Sequence, residues 1–193
     1  NPEFQAAMTQ AKAESDRVVA LIQANRGIPR AGAAALLKED PSTVGPRMFA
    51  QHCASCHRYD GHDGLGGVSK ELASAPDLKG FGSRAWLAGL LEAGRITNHT
   101  YYGGTRFRDG KMARYVTTKL PKKHAADPSA LEAMIAAVSA EAALPGQAAA
   151  EARDGALIEK GRTHVRETFG CTDCHAFRKS DDEASAPDLT GWG

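Results

Sequence analysis

The sequence is short of aromatic residues, long apolar runs and net charge. Phe, Trp and Tyr make up 6% of its 193 residues, so two small lobes around large apolar ligands suit the composition better than one aromatic-rich core. No stretch reaches the ~20 consecutive apolar residues of a membrane helix. The net charge of +1 gives no general attraction to nucleic acid or anionic lipid. These absences disfavour a membrane-spanning segment or a nucleic-acid-binding protein.

The four cysteines all fall in two segments with the pattern C-x-x-C-H. The segments contain Cys53, Cys56 and His57, and then Cys171, Cys174 and His175. This pattern is typical of c-type haem attachment. Two cysteines at this spacing reach the two vinyl groups of one porphyrin, and the adjacent histidine is the proximal iron ligand. The sequence therefore predicts two haem c groups, with His57 and His175 as iron ligands.

Other uses of paired cysteines explain the pattern less well. The pairs of a zinc ribbon lie roughly 15–20 residues apart, whereas 118 positions separate Cys53 from Cys171. A redox dithiol of the thioredoxin type needs a βαβ setting, which neither motif shows. Neither alternative explains a histidine directly after the second cysteine in both motifs.

Each motif belongs to a repeated unit. Ala-Pro-Asp-Leu-Lys-Gly-Phe-Gly occupies 75–82, and Ala-Pro-Asp-Leu-Thr-Gly-Trp-Gly occupies 186–193. Upstream of the motifs, Gly-Pro-Arg-Met-Phe at 45–49 is similar to Gly-Arg-Thr-His-Val at 161–165. The same unit therefore occurs twice.

The order of these segments resembles class I cytochrome c, over residues 44–143 in full and 157–193 in part. The resemblance implies an all-α fold of two cytochrome c-like lobes, the first complete and the second truncated. It implies that the helix leading to the first motif crosses a closing helix, with Gly45 and Phe49 at the crossing. Such a protein transfers electrons.

A proline follows each motif, Pro76 in the first unit and Pro187 in the second. In the family, the carbonyl of this proline accepts a hydrogen bond from Nδ1 of the haem histidine and orients its ring. The alternative is an ordinary turn proline. Its recurrence in both units favours the family role.

The sixth iron ligand is sought among the methionines, because a methionine opposite the histidine raises the reduction potential. Met134 falls on an apolar helical stripe and is expected in the core, as is Met48, whereas Met8 lies in a polar helix. Met112, in an Asp-Gly-Lys-Met loop where the family has its methionine, is predicted as the sixth ligand of the first haem. The rival ligand is His99.

The second unit offers no counterpart of Met112. The repeat ends at Gly193, the counterpart of Gly82, and His164 upstream is expected to face solvent rather than bind iron. The sixth ligand of the second haem is therefore unassigned. Because the chain opens with Asn1 and stops inside a repeat, we expect it to be a piece of a longer protein.

We divide the chain into four parts. They are an N-terminal helical lead (1–43), a first cytochrome c domain (44–143), a linker (144–156) and a partial second cytochrome c domain (157–193). The lead resembles the region that joins membrane-embedded cytochrome b-type subunits to c-type haem extensions in bacterial quinol-oxidising complexes. Gly-Ile-Pro at 27–29 and Asp-Pro at 40–41 carry that resemblance.

These features predict an electron carrier with two covalently bound haems, acting as a subunit or extension of a respiratory bc-type complex and passing electrons to a downstream acceptor. The resemblance implies redox partner proteins, a cytochrome b-type membrane subunit and a periplasmic location. Two alternatives stay open, a catalytic dihaem enzyme of the peroxidase or thiosulfate-oxidising type and a freestanding dihaem carrier. Asp60, His62 and Asp63 cluster after the first motif and are expected to form a solvated loop.

Overall fold

The computed structural model describes residues 1–68, 71–179 and 183–192, which fold as helices joined by loops. In chain order the helices are α1 (Pro2–Ala24), α2 (Ala33–Glu39), α3 (Pro41–His52), α4 (Arg84–Leu90), α5 (Lys111–Thr118), α6 (Leu120–Ala126), α7 (Pro128–Ala140), α8 (Ala148–Arg153) and α9 (Gly155–Arg166), with 3-10 turns at Pro145–Gln147 and Cys171–Asp173. The described residues contain isolated β-bridges but no strand, which confirms the all-α prediction. None of the described helices has both the length and the hydropathy that a bilayer span requires.

Helices α1, α2 and α3 form the N-terminal end of the molecule, and none of their residues is buried. The carboxylate of Asp40, just before α3, accepts a hydrogen bond from the backbone N–H of Ser42 and so caps that helix. Arg17 on α1 lies 2.5 Å from the same carboxylate. Its guanidinium holds the pKa of Asp40 well below the usual range. A single buried carboxylate thus ties α1 to α3.

The central cluster of apolar side chains lies among α4, α5, α6, α7 and α9 and the loops beside them. Its buried members are Trp86, Leu87, Leu90, Ile96, Tyr101, Ala113, Val116, Leu120, Ala130, Met134, Val138, Val165, Phe169 and Phe177. Met134 is 3% exposed, as its position on an apolar stripe predicts. The cluster takes residues from both repeats, so the second unit packs against elements of the first.

Helices α7 and α9 pack against each other more extensively than any other pair of described helices. Gly161 makes this possible, because a Cβ at that position would lie 1.9 Å from the backbone oxygen of Ala133. Around this contact Ile158 and Val165 are buried. The carboxylate of Glu141, just after α7, lies 3.7 Å from the guanidinium of Arg162 on α9. A close backbone approach, apolar burial and an ion pair therefore join α9 to α7.

The helix crossing implied for Gly45 and Phe49 is wrong in this structure. A Cβ on Gly45 would meet nothing within 4 Å, and the Phe49 ring instead packs beside Tyr59 and against Gly64. Met48, expected in the core, is 48% exposed. The physical reason is that α9, the repeat counterpart of α3, occupies the face of α7 that the crossing would require.

The segment from 144 to 156, expected as a linker, is folded and held in place. Gln147 accepts a hydrogen bond from the backbone N–H of Arg84 and donates one to the hydroxyl of Ser139. Arg84 also lies 2.6 Å from the carboxylate of Asp154. These bonds fix the approach of α9 to α7.

Candidate functional site

The first C-x-x-C-H motif forms a tight turn at the end of α3. Cys53 donates its backbone N–H to the oxygen of Phe49, and His57 donates to the oxygen of Cys53 over 2.8 Å. Cys56 donates to the same Cys53 oxygen over 3.1 Å. The turn therefore brings both thiols and the imidazole together within five residues.

The imidazole of His57 is oriented by the proline that follows the motif. Its Nδ1 lies 2.7 Å from the carbonyl oxygen of Pro76. A carbonyl only accepts hydrogen bonds, so Nδ1 must carry a proton, which leaves Nε2 as the ring nitrogen available to a metal. A neutral imidazole with a free Nε2, held by a backbone carbonyl, is the form that binds metal.

The second motif repeats this geometry at the end of α9. Gly170, at φ 63°, adopts the left-handed conformation directly before the 3-10 turn Cys171–Asp173. His175 then donates its backbone N–H to the oxygen of Cys171 over 2.9 Å. The Nδ1 of His175 lies 2.7 Å from the oxygen of Pro187, the same distance as in the first motif.

The backbone bonds that carry the two prolines also correspond one to one. Ala75 donates to the oxygen of Cys56 over 3.1 Å, and its counterpart Ala186 donates to Cys174 over 2.9 Å. Leu78 donates to Arg58 over 2.8 Å, and its counterpart Leu189 donates to residue 176 over 2.9 Å. The sequence repeat is thus a structural repeat. Gly193, the last residue of the repeat, lies outside the described residues.

An aspartate that sequence analysis did not single out holds each of these loops. Asp77, which is 8% exposed, accepts hydrogen bonds from the backbone N–H groups of Asp60, Gly61 and Lys79. Its counterpart Asp188 accepts from Thr190 over 2.8 Å. The sequence feature that could have identified these aspartates is the repeated Ala-Pro-Asp-Leu segment, in which the aspartate recurs with the proline.

All four cysteine thiols are free of disulfides, as covalent attachment to a porphyrin requires. Cys56 is exposed and the other three are half-buried. Burial raises the pKa of the Cys171 thiol to about 11, opposed by the charge of Lys123. Within the described residues no three His, Cys, Asp or Glu side chains converge on one point as a metal site.

The candidate sixth ligands lie in different surroundings. Met112 lies in the first turn of α5 and not in a loop as predicted, because the helix already begins at Lys111; its side chain is half-buried and packs against the central cluster. Met8 and Met48 are 56% and 48% exposed. His99 is exposed and lines an open cleft beside Arg58. The role of Met112 as an iron ligand stays a prediction.

His164, expected to face solvent, does not. Its Nδ1 lies 2.8 Å from the hydroxyl of Thr168 and its Nε2 is buried. The reason is that the ring lies against the segment that follows α9, where Thr168 is its hydrogen-bond partner.

The loop after the first motif matches its sequence-based interpretation. Asp63 accepts hydrogen bonds from the backbone N–H groups of Leu65 and Gly67, which lower the pKa of its carboxyl. Asp60 pairs with Lys79 at the surface, and His62 accepts from Gly64. These contacts hold the loop within itself at Asp63 and His62 and against the following loop at Asp60.

Comparison with known proteins agrees with the local geometry. The sequence matches the family model described as Cytochrome c over residues 42–138, about half of the chain. No curated protein and no solved structure matches the chain. The matched region contains the first motif, its supporting proline and Met112. Haem-based electron transfer follows from this match, and the chain belongs to the cytochrome c family.

Proposed function

We propose that this chain is a dihaem electron-transfer module, with one haem c on each C-x-x-C-H motif. The observation that carries the proposal is the second histidine–proline contact. His175 and Pro187 reproduce, at the same 2.7 Å, the contact between His57 and Pro76. A second unit that served only packing would not need a histidine with Nε2 free for iron.

In each unit, different residues would attach the porphyrin, hold the iron and orient the imidazole. Each thiol S–H adds across one vinyl double bond, so a carbon–sulfur bond forms and the proton goes to the other vinyl carbon without net oxidation. His57 and His175 would hold the two irons, and Pro76 and Pro187 would keep the imidazoles in the required tautomer. Bound haem supplies reversible one-electron exchange between ferrous and ferric iron. We propose Met112 as the sixth ligand of the first iron, the one held by His57.

The haem number can be counted directly. The protein would be produced with a c-type maturation system, and haem would be measured from intact mass and from the reduced pyridine haemochrome spectrum. We expect two haems in the full chain and one after Cys53→Ser with Cys56→Ser. We also expect one after Cys171→Ser with Cys174→Ser. A single haem in the full chain, lost only with the first pair, would refute the second site.

We also propose that the module serves a periplasmic bc-type complex, with a cytochrome b-type membrane subunit as electron donor. The support is the N-terminal lead, where Phe4, Met8, Val19 and Ile28 are each more than half exposed. Apolar residues on such an exposed helical segment need a cover. Affinity purification from the native membrane should recover a b-type cytochrome together with this chain. Recovery of the dihaem chain alone would favour a freestanding carrier.

Carbon monoxide tests the catalytic alternative. An enzyme of the peroxidase type needs an iron with an open or weakly held position, and such an iron binds CO readily when reduced. We expect little CO binding by the complete protein. Avid binding by one haem would favour catalysis.

A further inference from the structure

We propose that Asp77 is a positioning residue for His57, and that its buried carboxylate lowers the reduction potential of the haem at the first motif. The inference rests on the proposed function and deepens it, because Asp188, the corresponding residue of the second motif, is exposed. Two haems with the same attachment geometry would then differ through one carboxylate.

The peptide unit between Pro76 and Asp77 is held at both ends. Its oxygen lies 2.7 Å from Nδ1 of His57 and accepts the hydrogen bond from that ring. Its N–H, which belongs to Asp77, donates to the oxygen of Thr100 over 2.9 Å. Since a peptide unit is planar and stiff, fixing its N–H also fixes the direction of its oxygen. The backbone of Asp77 thus orients the group that orients His57.

The side chain of Asp77 joins the two segments that meet at the histidine–proline contact. On the side of the first motif, its carboxylate accepts the backbone N–H of Asp60 over 3.0 Å and that of Gly61 over 2.8 Å. On the side of the proline, it accepts the backbone N–H of Lys79 over 2.8 Å. Asp60 and Gly61 both have positive φ, 57° and 81°, and successive N–H groups in such a turn converge on one anion. The carboxylate therefore holds both sides of the contact together.

The surroundings of Asp77 make its charge effective. The residue is 8% exposed, and its carbonyl oxygen accepts the indole N–H of the buried Trp86 over 3.1 Å. A buried charge is screened much less by solvent and salt than a surface charge. Ferric iron carries one more positive charge than ferrous iron, so a buried carboxylate close to the histidine ligand favours the ferric form. The reduction potential is lowered in consequence.

The second motif places a neutral group at the equivalent position. Arg178 corresponds to Asp60 in the repeat, and the φ of the two residues is 55° and 57°. The backbone N–H of Arg178 donates to the hydroxyl of Thr190 over 2.6 Å, whereas that of Asp60 donates to a carboxylate. Asp188, the counterpart of Asp77, accepts the backbone N–H of Thr190 at the surface. The equivalent N–H thus meets a hydroxyl in one motif and a buried charge in the other.

The test uses the protein that carries Cys171→Ser and Cys174→Ser, in which only the haem of the first motif titrates. Asp77→Asn removes the charge and one acceptor oxygen at nearly constant volume. Asp60→Asn is the matched control, because it removes an exposed carboxylate from the same loop and asparagine tolerates the positive φ there. The readouts are the reduction potential and, by NMR of the ferric protein, the rate at which the Nδ1 proton of His57 exchanges with solvent.

We expect Asp77→Asn to raise the potential by about 59 mV, which is a tenfold change in the equilibrium between ferric and ferrous haem. Exchange of the His57 proton should become faster, because the Pro76 carbonyl is less firmly held. Asp60→Asn should change neither readout, since an exposed charge is screened. Unchanged readouts in Asp77→Asn, or equal changes in Asp60→Asn, would overturn the proposal.

Asp77→Glu provides a second variant in case the asparagine protein does not fold. It keeps the charge, but its longer side chain cannot place both oxygens where the aspartate places them. Exchange of the His57 proton should be faster than in the parent protein, with a smaller rise in potential than a neutral residue would cause. Exchange at the parent rate would overturn the positioning role.

The difference between the motifs is tested in the protein that carries Cys53→Ser and Cys56→Ser. There Asp188→Asn should leave the potential of the second haem unchanged, and a rise like that expected for Asp77→Asn would contradict the difference. Haem is counted by intact mass in every sample. Absence of haem from this protein would count against the proposed function, whereas the tests on Asp77 would still stand on the first haem alone.

Discussion

Gly161→Ala tests the packing of α9 on α7. The new Cβ would lie 1.9 Å from the Ala133 oxygen and 2.8 Å from the Ala137 Cβ, whereas Cβ contacts under 3.0 Å do not occur in folded proteins. The helices must therefore separate by about 1 Å. Overpacking of this kind costs about 1–3 kcal/mol, and the backbone obstacle places the cost near the upper end. Alanine recovers about 1 kcal/mol of helix propensity, so we expect a net loss of about 2 kcal/mol.

Gly45→Ala is the matched control, because Gly45 is the repeat counterpart of Gly161 and its Cβ would meet nothing within 4 Å. The gain in helix propensity is offset because Pro46 follows, and a proline disfavours the helical conformation of the residue before it. We expect a net change within about 0.5 kcal/mol.

The assay is thermal and guanidinium unfolding of the haem-loaded protein, followed by far-ultraviolet circular dichroism. A loss of about 2 kcal/mol lowers Tm by roughly 4–8 °C in a chain of this length. If Gly45→Ala were the more damaging change, α3 and not α9 would cross α7. The packing argument would then be wrong.

Three further predictions concern single contacts. Asp40→Asn should destabilise the protein at neutral pH, and the difference in unfolding free energy between wild type and variant should shrink on acidification. The pKa of Asp40 in the folded protein lies below the usual range. The stabilisation by this carboxylate is therefore present above about pH 4 and is lost as the pH falls towards the folded pKa. Unfolding curves from pH 7 to pH 2 check this, and a constant difference would contradict it. Tyr115→Phe should cost about 1 kcal/mol through loss of the bond to Phe169. Burial raises the pKa of Tyr115 to about 12, so the variant should also lack a tyrosinate absorbance step near that pH. Trp192→Phe should cost about 1 kcal/mol, because its indole N–H donates to the Val138 oxygen over 2.9 Å, and an unchanged unfolding midpoint would count against that bond.

The attachment geometry was predictable because it is local. A five-residue turn positions the thiols and the imidazole, and Pro76 lies only 19 residues beyond His57. The recurrence of the same residue types in a second unit was enough to predict the contact between His175 and Pro187. The histidine–proline contacts could therefore be predicted, because each joins residues close together in the sequence and because the segment recurs in a second unit.

The helix packing was not predictable in the same way. Gly45 and Gly161 occupy equivalent positions in the two repeats, so either of their helices could present a glycine to α7. The structure distinguishes them through tertiary contacts far along the chain, such as those of Tyr115 and Lys123 with residues just before the second motif. The burial of His164 Nε2 and the exposure of Met48 follow from the same arrangement, in which α9 and not α3 packs on α7.

Equal attachment geometry with unequal surroundings has a consequence for electron flow. Apolar surroundings disfavour the additional charge of ferric iron, and a methionine ligand raises the potential further. Cys171 packs against the central cluster, whereas Cys56 is exposed at the surface. The surroundings of the second motif would therefore raise the potential of a haem held there. Between the two haems that we propose, this difference in burial by itself would draw electrons from the first towards the second.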